Sequence, residues 1–203
     1  MTGQLIYVVG PSGSGKDSII QALLERLEVT VMRRVITRPS DSIGEASDSV
    51  EPETFEQMEE NGMFSMSWHA NGLSYGIPFS LDHYLQDGKT VIVNGSREYC
   101  EVLHEKYPDA LLVLVTVEHE LLRQRLEQRN RETMQEIELR LQRNQQFEKN
   151  FLANVERWQL PFFILDNSMT LEQTVAQFYE QLEHFQKGSE VMIRNQQSAQ
   201  KIA

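Results

Sequence analysis

Cysteine is almost missing from this chain of 203 residues: Cys100 is the only one. A lone thiol excludes an internal disulfide and fits a reducing compartment, so a cytoplasmic location is expected. No apolar run approaches the ~20 residues needed to span a bilayer, and no charged-then-apolar leader opens the sequence, so no membrane partner is expected. Excess positive charge is lacking too. Nineteen Lys and Arg stand against 30 Asp and Glu, a net charge of −11. That balance argues against nucleic acid as a partner. An acidic protein that handles polyanions must concentrate its few basic residues, so the arginine positions carry information. His69, His83 and His104 show no metal-ligand spacing, and there is no internal repeat. The length suits one domain that buries a core without staples.

What is present is concentrated near the start. Leu5-Ile6-Tyr7-Val8-Val9 reads as a strand, and Ile19 to Leu27 as an amphipathic helix. Between them lies Gly10-Pro11-Ser12-Gly13-Ser14-Gly15-Lys16-Asp17-Ser18. Strand, glycine loop, lysine and helix in that order form a phosphate-binding P-loop. The glycines let backbone N–H groups turn inward around a polyphosphate. The helix adds its unpaired N–H groups and the positive end of its dipole. Residues 10–18 are therefore the expected ATP contacts, with Lys16 as a mobile charge on the outer phosphates. The residue after the lysine departs from the motif: Asp17 stands where a hydroxyl usually holds Mg²⁺.

The remaining chain alternates strands and helices. Val29 to Pro39 reads as one strand carrying Arg34 and Arg38. Residues 40–52 read as a loop. Pro52 opens a helix that stops at Gly62, and strands Met63–Trp68 and Leu73–Ile77 flank an Asn71-Gly72 turn. Ser80–Gln86 is a short helix, and Thr90–Val93 a buried strand closing on Asn94-Gly95-Ser96-Arg97. Glu98–Tyr107 reads as a helix with Cys100 in its middle. Ala110–Val117 reads as a central parallel strand. His119–Gln128 is helical, and Thr133 to Glu136 looks like a capping box for the next helix. Pro161–Leu165 is the last strand, ending at Asp166-Asn167. A helix over 171–185 and a polar tail from Lys187 close the chain. This is an α/β pattern with a mainly parallel sheet, and ligands belong at the carboxyl ends of its strands.

The motifs resemble those of the guanylate kinase-like P-loop kinases. The matching segments are the glycine loop, Thr37-Arg38-Pro39, Gly44-Glu45, Gly62-x-Phe64, Tyr75-Gly76 and Arg125-x₃-Arg129-x-Arg131, over about Leu5 to Leu182. Three features of guanylate kinases are missing. Ser40-Asp41-Ser42 replaces their second arginine, no Asp-Tyr-x-Phe segment follows Glu45, and Met66 and Ser67 precede Trp68 where a guanine-reading glutamate is expected. The chain is more similar to the ribose 1,5-bisphosphate phosphokinases of phosphonate degradation. That likeness rests on Lys16-Asp17-Ser18, Ile36-Thr37-Arg38-Pro39, Gly72-Leu73-x-Tyr75-Gly76, Val93 to Arg97 and Leu122 to Arg129.

This resemblance implies transfer of the ATP γ-phosphoryl group to a sugar phosphate, giving 5-phosphoribosyl 1-diphosphate (PRPP). It implies one P-loop domain over 1–186, with an acceptor-binding insertion at about 40–80, a lid at about 119–145 and a tail over 187–203. Lys16, Arg125, Arg129 and Arg131 are expected to act on the transferring group, the lid arginines having a solvated helix face as their alternative. Arg34, Arg38, Tyr75, Asn94, Ser96 and Arg97 are expected to bind the acceptor. Tyr75 has a plain core role as its alternative, and Asn94 and Ser96 a capping turn. Asn167 is expected to contact the nucleotide. Asp17 is expected to bind Mg²⁺, or else to cap the helix. A homodimer is allowed for. The competing readings are a nucleoside monophosphate kinase and a non-catalytic interaction module of the same fold.

Overall fold

The computed structural model describes residues 3–38, 47–70, 72–130 and 132–186. The expectations placed on Pro39, Gly44-Glu45, Asn71, Arg131 and the tail from 187 lie outside the described residues.

The first apolar run forms β1 (Gln4–Val9). Leu5, Tyr7 and Val9 face one core layer, and Ile6 and Val8 the other. A strand buried on both faces needs such a continuous apolar run. After the glycine loop comes α1 (Lys16–Leu24), which buries Ile19, Ile20 and Leu23.

The segment read as one strand after α1 is two strands in different sheets. β2 (Thr30–Val31) pairs in parallel with the strand ending at Asn94. β3 (Arg34–Ile36) leaves that sheet and runs antiparallel to a strand containing Tyr75 and Gly76. The break follows from the side chains. Met32 is buried, and its N–H still donates to the Ile92 carbonyl at 2.9 Å. Arg33 cannot be buried next to it and instead pairs at the surface with Asp48 at 2.7 Å. Residues 47–49, expected as loop, form the short edge strand β4 (Ser47–Ser49) beside β3. An edge strand tolerates polar residues on both faces, so composition alone hides it.

α2 (Pro52–Glu60) starts on its proline, and Gly62 at φ 66° ends the turn beyond it. β5 (Phe64–Ala70) and β6 (Leu73–Pro78) form the hairpin, followed by α3 (Ser80–Gln86) and β7 (Thr90–Asn94). α4 (Cys100–Lys106) begins two residues later than expected, because residues 96–100 first make a tight turn. Cys100 therefore opens the helix. Its thiol is buried, and burial pushes it up to about 12, so it is inert at neutral pH. β8 (Leu111–Thr116), α5 (His119–Gln128), α6 (Met134–Trp158), β9 (Phe162–Asp166) and α7 (Leu171–Gln186) complete the chain.

The main sheet is parallel throughout, in the order β2-β7-β1-β8-β9, with the strands of the second sheet in the order β4-β3-β6-β5. The second sheet is an insertion between β2 and β7. Helices cover both faces of the main sheet: α1 and α7 pack on one layer, and α3, α4 and α6 on the other. This is the P-loop kinase architecture of the guanylate kinase-like type. The α5–α6 hairpin has its own small core of Val117, Leu122, Leu126, Ile137 and Leu141. The capping box forms as expected: Thr133 Oγ1 accepts from the Glu136 N–H, and Glu136 accepts from the Thr133 N–H.

Candidate active site

The glycine loop joins β1 to α1 and follows a backbone path that side chains would block. Gly15 sits at φ 85°, and a Cβ there would lie 2.4 Å from Asn167 Nδ2. Asn167 is the fastening point of the loop. Its Nδ2 donates to the Ser14 carbonyl at 2.7 Å, and its Oδ1 accepts from Thr174 Oγ1 at 2.9 Å. The side chain is nearly fully buried, so these bonds lock its orientation. Lys16 Nζ folds back on the loop and donates to the carbonyls of Gly10 and Pro11 at 2.9 and 3.0 Å. Ser14 is fully buried, whereas Ser12 and Ser18 face solvent.

Asp17 and Asn94 meet although 77 residues separate them: Asn94 Nδ2 donates to Asp17 Oδ1 at 2.7 Å. β7 lies next to β1, with Val8 opposite Asn94, so its end reaches the first turn of α1. Asn94 is buried, and its Oδ1 has no hydrogen-bond partner among the described residues. A carboxylate and an unpartnered amide oxygen beside a phosphate loop are hard oxygen donors of the kind Mg²⁺ takes. The residues present therefore fit that ion. The Asn94 Nδ2 is taken up by Asp17, and its Oδ1 has no partner among the described residues.

Thr37 ties the end of β3 to the hairpin: its N–H donates to the Ser74 carbonyl at 3.1 Å, and its Oγ1 accepts from the Ser74 N–H at 2.8 Å. This pins the half-buried Arg38 beside the strand that carries Tyr75. The Arg34 guanidinium carbon lies 5.9 Å from the Tyr75 ring centre. Tyr75 stacks face to face on Trp68, with centroids 5.5 Å apart and planes 3° from parallel. Trp68 and Met66 are both buried. Where guanylate kinases are expected to present an acid to a base, this hairpin presents an apolar layer. A cavity of about 570 Å³ between β5 and α4, lined by Trp68, Tyr99, Glu98 and Lys106 among others, has no arginine.

The loop after β7 is held by the core. Tyr7 Oη accepts from the Ser96 N–H at 2.9 Å and donates to the Ser96 carbonyl at 3.2 Å. Burial pushes the Tyr7 phenol well above its ordinary value, which keeps it neutral. Gly95 must be a glycine, because a Cβ there would lie 1.9 Å from the Tyr7 ring. Ser96 Oγ accepts from the Glu98 N–H at 3.3 Å, so the side chain caps the turn. Arg97 projects to α6, with its guanidinium carbon 4.7 Å from the Phe147 ring centre.

The arginines of α5 and its end make different contacts. Arg125 Nη2 donates to the Asn167 carbonyl at 3.1 Å, which brings it to the P-loop, and its buried Nη1 has no partner among the described residues. Arg129 caps α5 and is exposed. Arg123 bridges α5 to Glu138 of α6 at 2.5 Å. Arg140 and Asn144 of α6 carry no site expectation from the sequence. Arg140 pairs with Glu132, and both Arg140 Nε and Asn144 Nδ2 are buried without a partner among the described residues. The available signal was a polar residue, Asn144, inside the buried stripe of a long helix. No group of three or more metal-ligating side chains occurs among the described residues, and no helix there is long and apolar enough to cross a membrane.

Comparison with known proteins adds the family. A family model described as AAA domain matches residues 6–148. The ribose 1,5-bisphosphate phosphokinase PhnN of Pseudomonas fluorescens (strain SBW25) is 46% identical over 187 residues, spanning 91% of this chain and 97% of its own. The protein of that name from Pseudomonas paraeruginosa is 49% identical over 178 residues, 86% of this chain and 92% of its own. That from Klebsiella pneumoniae is 37% identical and spans 90% and 94%. Among solved structures, guanylate kinase from Anaplasma phagocytophilum superposes with a TM-score of 0.63 at 17% identity, covering 95% of this chain and 92% of its own. A sugar kinase from Janibacter sp. HTCC2649 gives 0.51 at 18% identity, covering 89% and 95%. At such identities the structural likeness speaks for the fold alone.

Proposed function

The chain belongs to the ribose 1,5-bisphosphate phosphokinase family, and from that premise we propose that it transfers the γ-phosphoryl group of ATP to the 1-phosphate of ribose 1,5-bisphosphate, yielding PRPP and ADP. The bond between the γ-phosphorus and the bridging oxygen of ATP breaks, and a bond to an oxygen of the sugar's 1-phosphate forms. A phosphate acceptor is already ionised at neutral pH, so the step needs no general base. Positioning and charge neutralisation carry the catalysis.

The P-loop backbone and Lys16 hold the ATP phosphates. Lys16 exchanges its bonds to the Gly10 and Pro11 carbonyls for phosphate oxygens. Asn167 holds the loop in shape and positions Arg125, which lies over the transferring group. Arg129 and Arg131 join Arg125 as the α5–α6 lid closes. Asp17, oriented by Asn94, is the protein ligand of Mg²⁺, and that ion neutralises phosphate charge when bound. Arg34, Arg38 and Tyr75 receive the acceptor from the insertion sheet, and Arg97 from the loop after β7. A reducing cytoplasm suits a protein whose single cysteine is a buried thiol.

The observation that carries this reading is high identity to ribose 1,5-bisphosphate phosphokinases over nearly their full length. The apolar Met66–Trp68–Tyr75 layer supports a base-free acceptor. A site that reads a base by hydrogen bonds needs polar partners for it. ADP release is the test, with ribose 1,5-bisphosphate and GMP offered separately. Release with the sugar bisphosphate and little with GMP is expected. GMP-dependent turnover would overturn the assignment.

A further inference from the structure

The buried stripe of α6 runs Ile137, Leu141, Asn144, Glu148, Phe151, Val155 and Trp158, at alternating spacings of four and three residues. Five of the seven pack apolar surface. Asn144 and Glu148 interrupt them in the middle, and polar groups in such a stripe destabilise the fold unless something pairs them. Asn144 is only 3% exposed, yet its Nδ2 has no partner among the described residues. Three residues further along the helix, the Phe147 ring carries Arg97, whose buried Nη1 also has no partner among the described residues. One turn before Asn144, the buried Arg140 Nε is in the same position, although its guanidinium pairs with Glu132 through Nη2.

All three unpartnered atoms are donors, so the group that completes the site is an acceptor. Its charge follows from the neighbours. Burial holds the Arg97 guanidinium below its ordinary value; the nearby acids Glu148 and Glu98 act the other way, and the like charges of Arg140 and Arg143 add to the lowering. Glu148 is the half-buried acid here, and burial pushes its carboxyl up, which weakens it as a counter-charge. Buried donors are in excess, two of them on guanidinium groups, and that combination suits an anion.

Resting on the functional reading above, we propose that Arg97, Asn144 and Arg140 hold the second phosphate of the acceptor, the one that is not phosphorylated. The neighbours that act on Arg97, namely Phe147, Glu148, Arg140 and Arg143 of α6 and the adjacent Glu98, favour the acceptor over the ATP phosphates as the occupant. The loop that carries Arg97 nevertheless starts at Asn94, which touches Asp17. The pocket therefore lies one short loop from the point of transfer, as a five-carbon sugar with a phosphate at each end requires. A nucleoside monophosphate has one phosphate, and on binding it would leave these donors unpaired. Rejection of GMP thus comes from this pocket as well as from the apolar hairpin.

Truncated acceptors test the assignment. In Arg97→Gln and Asn144→Leu, kcat/KM for ribose 1,5-bisphosphate should fall roughly 10- to 100-fold, the range for hydrogen bonds to a charged group. The same variants should treat ribose 1-phosphate, which lacks the distal phosphate, as the wild type does. Calorimetric binding of ribose 5-phosphate gives a readout without turnover: it should weaken in both variants, with melting temperature as the check on folding. An equal loss for both acceptors, or ribose 5-phosphate binding unchanged in folded variants, would overturn the pocket. A wild type that binds ribose 5-phosphate through these residues but makes no PRPP would contradict the functional reading and leave the pocket standing.

Discussion

Exchanging the two side chains of the Asp17–Asn94 pair separates a metal ligand from a helix cap. The two atoms are 2.7 Å apart. Asn94→Asp alone would place a second negative charge about 3 Å from the first, a repulsion of about 1.5 kcal/mol at water-like screening and about 5.5 kcal/mol at an effective dielectric constant of 20. Asp17 is exposed, which favours the lower end, so a stability loss of roughly 1.5–3 kcal/mol is expected. Asp17→Asn alone removes the carboxylate. If its role were only to cap α1, the cost would be about 0.3–1 kcal/mol of stability and nothing in metal dependence. If it binds Mg²⁺, the gain in ATP affinity on adding Mg²⁺ should shrink by roughly 10- to 100-fold, the scale for disturbing a metal site. The double exchange, Asp17→Asn with Asn94→Asp, restores one charge and one hydrogen bond. It should recover stability and much of the Mg²⁺ response. Calorimetry of ATP binding with and without Mg²⁺, beside thermal melts of all four proteins, reads each term. An Asp17→Asn protein with the wild-type Mg²⁺ response would refute the reasoning.

Other outcomes follow from single contacts. Gly15→Ala would push a methyl group into Asn167 Nδ2 at a left-handed backbone position. ATP affinity measured by calorimetry should fall at least about tenfold, and unchanged affinity would mean that Asn167 does not fasten the loop. Trp68→Ala removes a buried ring stacked on Tyr75. It should cost about 3 kcal/mol in denaturant melts and raise the acceptor KM while sparing ATP affinity. Burial holds the Glu148 carboxyl above its ordinary value of 4.5. The folded state thus keeps this proton more tightly than the unfolded chain does, and the associated stability is complete below pH 4.5 and lost as pH rises through the folded value. Glu148→Gln should therefore raise the melting temperature at neutral pH and give no gain below pH 4.5. A gain of equal size at both pH values would contradict it.

Local chemistry was readable in the sequence, and long-range pairing was not. The glycine loop, the proline start of α2 and the Thr133–Glu136 capping box each depend on a few neighbouring residues, and each formed where expected. The break between β2 and β3 was hidden because β-branched residues flank it on both sides. What splits the strand is the impossibility of burying Arg33 beside Met32, and that becomes visible only once β7 lies beside β2. β4 was hidden by its polar composition. The Asp17–Asn94 contact spans 77 residues and depends on the crossover that sets β7 beside β1. The stripe of α6 was within reach of sequence reasoning. Carrying its period past Leu141 would have exposed Asn144 and Glu148 as polar residues at core positions. Arg97 would have had no visible partner even then, because α6 meets the loop after β7 only in the folded chain.

The central claim is the chemical identity of the product, and phosphorus NMR of a reaction containing ATP, Mg²⁺ and ribose 1,5-bisphosphate reads it directly. The account predicts a new pair of coupled diphosphate signals from carbon 1 of the sugar, growing as ADP appears, with the 5-phosphate signal retained and no growth in a Lys16→Met protein. ADP formed without a sugar diphosphate, or a diphosphate formed on GMP instead, would contradict it.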